Sequence, residues 1–95
     1  IISYDPKEPK VHNNLGNYYR GVKGVKADDL KAEYHFKKAI ELNPEYIEAY
    51  MNYGNFLKTH GQLEAGNALY KIALELDKDD NYAPMINALL NTEKG

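Results

Sequence analysis

Residues 13–44 read NNLGNYYRGVKGVKADDLKAEYHFKKAIELNP, and residues 52–77 read NYGNFLKTHGQLEAGNALYKIALELD. Each stretch holds a glycine within an apolar helical stripe, then a turn, then a second stripe. Ala39 and Ala73 stand 34 residues apart, as do Leu42 and Leu76. A period of 34 residues built from two helices is typical of helical-repeat arrays. The sequence therefore predicts an all-α fold of stacked, antiparallel helix–turn–helix units.

The spacing of apolar residues predicts five helices. Leu15 follows Val11 by four residues, and Tyr18 and Tyr19 follow Leu15 by three and four, which indicates a helix from about 9 to 20. Pro6 disfavours helix before it, and Asp28 or Asp29 suits the N-cap of the second helix. The other helices are expected over 29–42, 46–59, 63–76 and from 82 or 84 to 91. The expected buried face of the second helix comprises Leu30, Phe36, Ala39, Ile40 and part of Tyr34. The apolar positions of the fourth are Leu63, Leu69, Tyr70, Ala73, Leu74 and Leu76.

Composition narrows the classes of function. The chain has 95 residues, 12 basic and 14 acidic side chains, a net charge of −2 and no cysteine. This balance gives no bulk reason to bind nucleic acid or an anionic membrane, and the lack of cysteine excludes disulfides and thiolate metal sites. No apolar run approaches the roughly 18 residues of a membrane span. We expect a cytoplasmic protein that uses no cofactor.

The chain resembles tetratricopeptide repeats, a family with a leucine–glycine–tyrosine pattern on the first helix and an alanine–aromatic–alanine pattern on the second. The first copy departs from the pattern with His12 at a bulky aromatic position and with four extra residues within 21–29. The second departs with Gly66 for alanine and Lys78 for proline. The resemblance implies a short right-handed α-solenoid. The matching residues are Leu15, Gly16, Tyr19, Ala32, Phe36, Ala39, Asn43 and Pro44 in the first copy and Tyr50, Gly54, Gly61, Tyr70, Ala73 and Asp77 in the second.

The same register divides the single domain, 1–95, into repeats. Residues 9–46 form the first repeat and 47–80 the second, with 81–95 as a terminal or capping helix. Residues 1–8 resemble the tail of an earlier repeat, since Asp5-Pro6 precedes Asn43-Pro44 by one period plus the four extra residues. We therefore expect a segment of a longer array, whose open ends expose apolar surface that neighbouring repeats would cover.

The resemblance implies a non-catalytic scaffold that binds a peptide or partner protein in a concave groove lined by the first helices. Asparagine suits such a groove because its amide both donates and accepts hydrogen bonds along an extended backbone. Tyr18 and Tyr46 are expected as exposed aromatic anchors. The expected groove residues are Lys10, Asn13, Asn14, Asn17, Arg20, Glu48, Met51, Asn52, Asn55 and Lys58.

Self-association is the alternative, because the last helix departs from the repeat register. Pro84, Asn87, Ala88 and Asn91 occupy its core positions, which leaves other residues to form its apolar face. The helix is either rotated into a cap or presents that face to a second copy in a dimer, domain swap or filament. The residues of this expected face are Tyr82, Met85, Ile86 and Leu89. A third alternative is an accessory module of an enzyme whose catalytic domain lies elsewhere.

More specific sites are disfavoured. A clamp for a C-terminal carboxylate would match Asn17 and Asn52, but its basic positions hold Asn13, Tyr82 and Ile86, and carboxylate recognition needs positive charge. The doubled Gly-Val-Lys in the insertion lacks the features of a phosphate loop. It is interpreted as a lengthened turn, with contact to a partner through Val22 and Val25 as the alternative.

No metal or catalytic constellation is predicted. His12, His35 and His60 do not pair at the spacing that places two ligands on one helical face. Asp77, Asp79 and Asn81 mimic the start of a calcium loop, but Tyr82 replaces its glycine and Ala88 its glutamate. We interpret this segment as a solvated turn. No nucleophile, base and orienting group converge.

Overall fold

A computed structural model describes residues 7–21 and 27–91 of the chain. These residues form five helices and no strand, and every predicted helix lies within one residue of its expected bounds. The all-α prediction is confirmed. The helices are α1 (Pro9–Tyr19), α2 (Asp29–Leu42), α3 (Ile47–Thr59), α4 (Leu63–Leu76) and α5 (Ala83–Asn91).

Local chemistry fixes the ends of the helices. Asp28 is the N-cap of α2, and its side chain accepts a hydrogen bond of 3.2 Å from the backbone N–H of Lys31. Glu8 caps α1 in the same way through the N–H of Lys10, and Pro9 fills the first helical position. Gly61 turns the chain after α3 with φ of 82°, a left-handed conformation that favours glycine.

Glycines bring the two helices of each repeat into close contact. A Cβ atom added to Gly16 of α1 would lie 2.6 Å from the ring of Phe36 on α2. A Cβ atom added to Gly54 of α3 would lie 2.7 Å from the ring of Tyr70 on α4. The glycine inside each first helix is therefore explained by the aromatic ring that occupies the place of its side chain.

The two inter-helix turns are closed by the same hydrogen bond. In the first repeat the N–H of Asp28 donates to the carbonyl of Tyr19 at 2.6 Å. In the second, the N–H of Gln62 donates to the carbonyl of Leu57 at 2.8 Å. Tyr19 and Leu57 each stand three residues after the packing glycine, so the bonds are equivalent.

The buried side chains form two clusters that follow the stack. The first contains Phe36 of α2 with Tyr53 and Phe56 of α3, so it joins the first repeat to the second. The second contains Tyr50 of α3, Tyr70 of α4 and Ile86 of α5, so it joins the second repeat to the last helix. Phe36, Tyr70 and Ile86 are the largest fully buried side chains. Stacking of neighbours, rather than any single helix pair, therefore supplies the core.

Three apolar residues of α2 and α4, Leu30, Tyr34 and Leu63, are exposed, and one of them, Leu30, is predicted to be buried. Leu30 and Tyr34 are 83% and 57% exposed, because at about 100° per residue they lie roughly 120° and 160° around α2 from Phe36. Leu63 is 48% exposed at the first position of α4, directly after the turn. The prediction that Leu30 is buried is therefore wrong, whereas the partial exposure of Tyr34 agrees with its expected partial burial.

Two further predictions fall outside the described residues. The resemblance of residues 1–6 to the end of an earlier repeat cannot be compared with the structure, and neither can the role of Val22 and Val25. The division of the chain into repeats at 46/47 and 80/81 stays a prediction.

Candidate protein-binding surface

An amide–amide hydrogen bond connects the first helices of the two repeats. Asn52 Nδ2 on α3 donates to Asn13 Oδ1 on α1 at 3.0 Å. Asn13 is buried, with 4% of its surface exposed, and Asn52 is partly buried. These two predicted groove residues thus bind each other, so their contribution is to hold α1 against α3.

Two more predicted groove residues are engaged inside the molecule. Asn55 Oδ1 accepts a hydrogen bond from the hydroxyl of Tyr70 on α4. The ammonium of Lys58 donates to the carbonyl of Leu89 on α5 at 3.1 Å and lies 5.1 Å from the centre of the Tyr70 ring. Both side chains therefore connect α3 to the helices that follow it.

A depression of about 180 Å³ lies between α3 and α5 and is lined by Glu48, Met51, Asn52, Tyr82 and Met85. We call it the Met51 depression. Three of its residues come from the predicted groove and two from the predicted self-association face. The hydroxyl of Tyr82 donates to Glu48 Oε1 at 3.3 Å across it. The structure thus brings together residues that the sequence analysis assigned to two separate surfaces.

A second depression, of about 270 Å³, lies where α1 and α3 begin. We call it the Tyr46 depression. Lys10 and Glu48 of the predicted groove contribute to its wall together with the expected aromatic anchor Tyr46, and Glu48 also lines the Met51 depression. The two depressions therefore adjoin at this carboxylate. The full lining is Glu8, Pro9, Lys10, Asn43, Tyr46 and Glu48.

The remaining predicted groove residues lie on α1 and at its end. Asn14 and Arg20 are exposed. Asn17 is partly buried, and its Oδ1 has no hydrogen-bond partner among the described residues. Arg20 lines a separate depression with Phe56 and His60 at the C-terminal ends of α1 and α3. Arg20 thus lies at the opposite end of α1 from Lys10 and the Tyr46 depression.

The residues of the predicted self-association face differ in how far they are exposed. Ile86 is fully buried against the second core cluster, so it is not accessible to a second copy. Met85 is 55% exposed, while Tyr82 and Leu89 are partly buried. The helix is rotated so that Ile86, out of register with the repeat pattern, takes the core position. This burial corrects the expectation that Ile86 lies on an exposed apolar face.

Two of the three histidines, His12 and His35, lie side by side in the structure. Nδ1 of the buried His12 lies 2.9 Å from Nδ1 of His35 on the facing helix, and His35 stacks on Tyr19 with ring centres 5.5 Å apart. Burial, then the charges of His12 and Lys31, lower the pKa of His35. The sequence held a signal for this pair, since a histidine at a bulky core position needs a polar partner.

His60 has the opposite surroundings. Its Nδ1 lies 2.7 Å from the carbonyl of Phe56, and its Nε2 lies 3.0 Å from Asp29 Oδ2 on α2. Because both ring nitrogens face acceptors, the doubly protonated imidazolium satisfies both contacts. The hydrogen bond to Phe56, followed by the interactions with Asp29, raises the pKa of His60.

The turn before α5 is organised around a buried carboxylate. Asp77 is 5% exposed and accepts hydrogen bonds from the N–H groups of Asn81 and Tyr82 at 3.0 and 2.8 Å. The interpretation of this segment as a fully solvated turn is therefore wrong for Asp77, whereas Asp79 and Asp80 are exposed. Across residues 7–21 and 27–91, no group of three or more histidine, cysteine or acidic side chains could hold a metal ion.

The described helices are short. The longest of them have 14 residues, and none in the described part of the chain is long and apolar enough to span a bilayer.

The geometry defines a helical-repeat protein with a grooved face along its first helices. Residues 35–66 match the family model for the tetratricopeptide repeat. The chain is 37% identical over 57 residues to human tetratricopeptide repeat protein 6, covering 60% of the chain and 11% of that protein. It is 30% identical over 80 residues to human protein O-mannosyl-transferase TMTC1, covering 82% of the chain and 9% of that protein.

These similarities place the chain in the tetratricopeptide repeat family, as its sequence pattern predicts. The chain spans about a tenth of the length of the curated relatives it matches. No solved structure matches it significantly. Repeats of this family generally mediate protein–protein interaction and are typically non-catalytic.

Proposed function

We propose that the chain binds an extended segment of a partner protein along the face formed by α1, α3 and α5. The observation that carries the proposal is the junction of the Met51 and Tyr46 depressions at Glu48. Two adjoining depressions suit successive side chains of an extended segment, whereas a small molecule is generally enclosed in one deeper cavity.

The walls of the two depressions combine apolar and polar groups. Met85 and Tyr46 offer apolar contact above the buried Met51, while Lys10, Glu48 and Asn52 offer hydrogen bonds and charge. Peptide-binding surfaces gain affinity from buried apolar anchors and specificity from polar groups at their rim. The Asn13–Asn52 hydrogen bond supports the same role indirectly, because it holds α1 and α3 together before a partner arrives.

Nuclear magnetic resonance can locate the binding face with selected peptides in place of the natural partner. Peptides from a displayed random library would be titrated into the isotopically labelled chain. We expect backbone shifts at Glu48, Met51 and Met85 and none at exposed positions of α2 and α4 such as Lys37 and Ile72. Shifts confined to α2 and α4 would contradict the proposal.

A pair of matched variants tests the same surface. Met85→Ala removes an exposed apolar side chain from the Met51 depression, and Ile72→Ala removes one from α4, where 39% of its surface is exposed. Peptide affinity should fall several-fold for Met85→Ala and stay constant for Ile72→Ala. Asn52→Ala is a poorer probe, because it also leaves the buried Asn13 amide without this donor.

Self-association through α5 is a second candidate function, favoured by the exposure of Met85 beside Tyr82. It predicts a concentration-dependent mass in light scattering that Met85→Ser returns to the monomer value. A monomer at the highest attainable concentration would exclude it.

A further inference from the structure

A third depression extends the candidate surface past Tyr82. It measures about 330 Å³ and lies between the α2–α3 and α4–α5 turns, where Glu45, Asp77 and Asp79 contribute to its wall. We call it the Asp79 depression. Tyr82 lines both it and the Met51 depression. The Tyr46, Met51 and Asp79 depressions therefore form one series at the N-terminal ends of α1, α3 and α5.

The linings of this series carry an excess of negative charge. They contain five carboxylates and two lysines, a net charge of −3, although the whole chain has 14 acidic and 12 basic residues. Two of the carboxylates, on Glu8 and Asp77, already accept backbone hydrogen bonds. The other three lie on Glu45, Glu48 and Asp79, all of which are exposed.

The carboxylates of the series raise the pKa of its two tyrosines, Tyr46 and Tyr82. The charge of Glu48 is the largest cause that raises the pKa of Tyr82, and Asp77 adds to it. Burial, then the charge of Glu48, raises the pKa of Tyr46, to which Glu8 also contributes. The carboxylates thus act on Tyr46 in the Tyr46 depression and on Tyr82, which lines the other two.

The opposite ends of α1 and α3 differ, because the described residues that line their depression include no carboxylate. There Arg20 and His60 line a depression with Phe56, and the paired ring nitrogens of His60 favour its cationic form. The negative charge of this face is therefore concentrated at the N-terminal ends of the first helices. Complementary potentials select partners of opposite charge and fix their orientation.

We propose that the partner segment is basic, with lysine or arginine side chains bound by Glu45, Glu48 and Asp79 and an apolar side chain packed in the Met51 depression. This inference rests on the function proposed above and specifies its partner. The apolar anchor is needed because exposed ion pairs alone contribute little affinity. Tyr82 and the exposed Met85 provide its contact surface, above the buried Met51.

Two synthetic peptides test the charge of the partner: one of alternating lysine and leucine, and its counterpart with glutamate in place of lysine. Fluorescence anisotropy should show binding of the lysine peptide that weakens as ionic strength rises toward about 0.15 M. Resonance shifts should include Glu45, Glu48 and Met85. Equal or tighter binding of the glutamate peptide would overturn the inference.

Two double variants of equal net charge distinguish binding at this surface from nonspecific electrostatic attraction to the whole protein. Glu45→Gln with Glu48→Gln removes two carboxylates from the series, and Glu64→Gln with Glu75→Gln removes two exposed ones from α4. The first pair should weaken binding of the lysine peptide about two- to thirtyfold, and the second by less than twofold. Equal weakening by both pairs would show that the attraction is not specific to the series.

The library peptides distinguish failure of this inference from failure of the proposed function. Selected peptides that bind the α1, α3 and α5 face but are unaffected by Glu45→Gln with Glu48→Gln would overturn only the basic partner. Selected peptides that bind α2 and α4 would overturn both.

Discussion

His12 and His35 face each other through their Nδ1 atoms at 2.9 Å, one from each helix of the first repeat. A hydrogen bond between two such nitrogens requires one ring to donate and the other to accept, so at least one imidazole is neutral. Protonation of both rings would replace this bond by repulsion inside the packed α1–α2 interface. The first repeat thus contains a contact that is incompatible with acid.

Acidification should destabilise the domain through this pair. The pKa of His35 is lowered by burial, His12 and Lys31, so between that pKa and the ordinary value of about 6.5 the unfolded chain binds more protons than the folded one. The stability from neutral His35 is therefore complete above about pH 6.5 and is lost as pH falls through the folded pKa. Urea denaturation from pH 7.5 down to pH 5 would measure the loss.

The double variant His12→Leu with His35→Gln provides the control for that measurement, because it removes both imidazoles from the interface. Its stability should vary less over the same acidic range. An unchanged pH dependence in this variant would mean that another group controls the acid response.

His60 should titrate in the opposite direction. Its pKa is raised, first by the hydrogen bond to the Phe56 carbonyl and then by Asp29. Its contribution to stability is therefore complete below about pH 6.5 and is lost as pH rises through the folded pKa. Histidine resonances should show a midpoint above 6.5 for His60 and below 6.5 for His35. Asp29→Asn should lower the His60 midpoint and leave that of His35 in place.

Gly66→Ala should destabilise the protein although alanine is the residue that the family pattern expects. The added Cβ would lie 2.7 Å from the carbonyl oxygen of Gly54 and 2.4 Å from Cγ of Lys58. Overpacking costs typically about 1–3 kcal/mol, against a gain in helix propensity of about 1 kcal/mol. We expect a net loss of up to about 2 kcal/mol in chemical denaturation.

Ala68→Gly measures the difference in helix propensity between alanine and glycine in α4, because Ala68 is an exposed residue of that helix. It should cost about 1 kcal/mol. A Gly66→Ala variant that is more stable than the parent would show that α3 and α4 separate at no cost.

Ile86→Val and Met85→Ala, at adjacent positions of α5, should differ in their effect on stability. Ile86 is fully buried, so loss of one methylene group should cost about 0.5–1.5 kcal/mol. Met85 is 55% exposed, and its truncation should change the free energy of unfolding by less than about 0.5 kcal/mol. Thermal denaturation in parallel would compare them. Equal effects would contradict the observed rotation of α5.

The helices could be predicted because apolar spacing and turn residues are local properties of the sequence. The residues at their contacts could not, because these depend on how one helix is rotated against another. His12 and His35 are 23 residues apart and meet only when α1 and α2 pack. Repeat register failed for α5, where Ile86 rather than Ala88 reaches the core.

The candidate surface could be predicted only in part, because its geometry also depends on how the helices are rotated against one another. Four of the ten expected groove residues, Lys10, Glu48, Met51 and Asn52, line the Met51 and Tyr46 depressions. Family register gives the side of a helix on which a residue lies. It does not reveal that Asn13, Asn55 and Lys58 form hydrogen bonds inside the molecule.

The equivalent hydrogen bonds at Tyr19 and Leu57 show that the two helices of a repeat can pack in the same way although their turns differ in length. Nine positions separate Tyr19 from Asp28 and five separate Leu57 from Gln62, yet the bonds measure 2.6 and 2.8 Å. The difference in loop-closure entropy amounts to roughly 0.5 kcal/mol. Changes of length between the two residues that close a turn are therefore expected to cost little stability. New sequence can be acquired there while the grooved face keeps its shape.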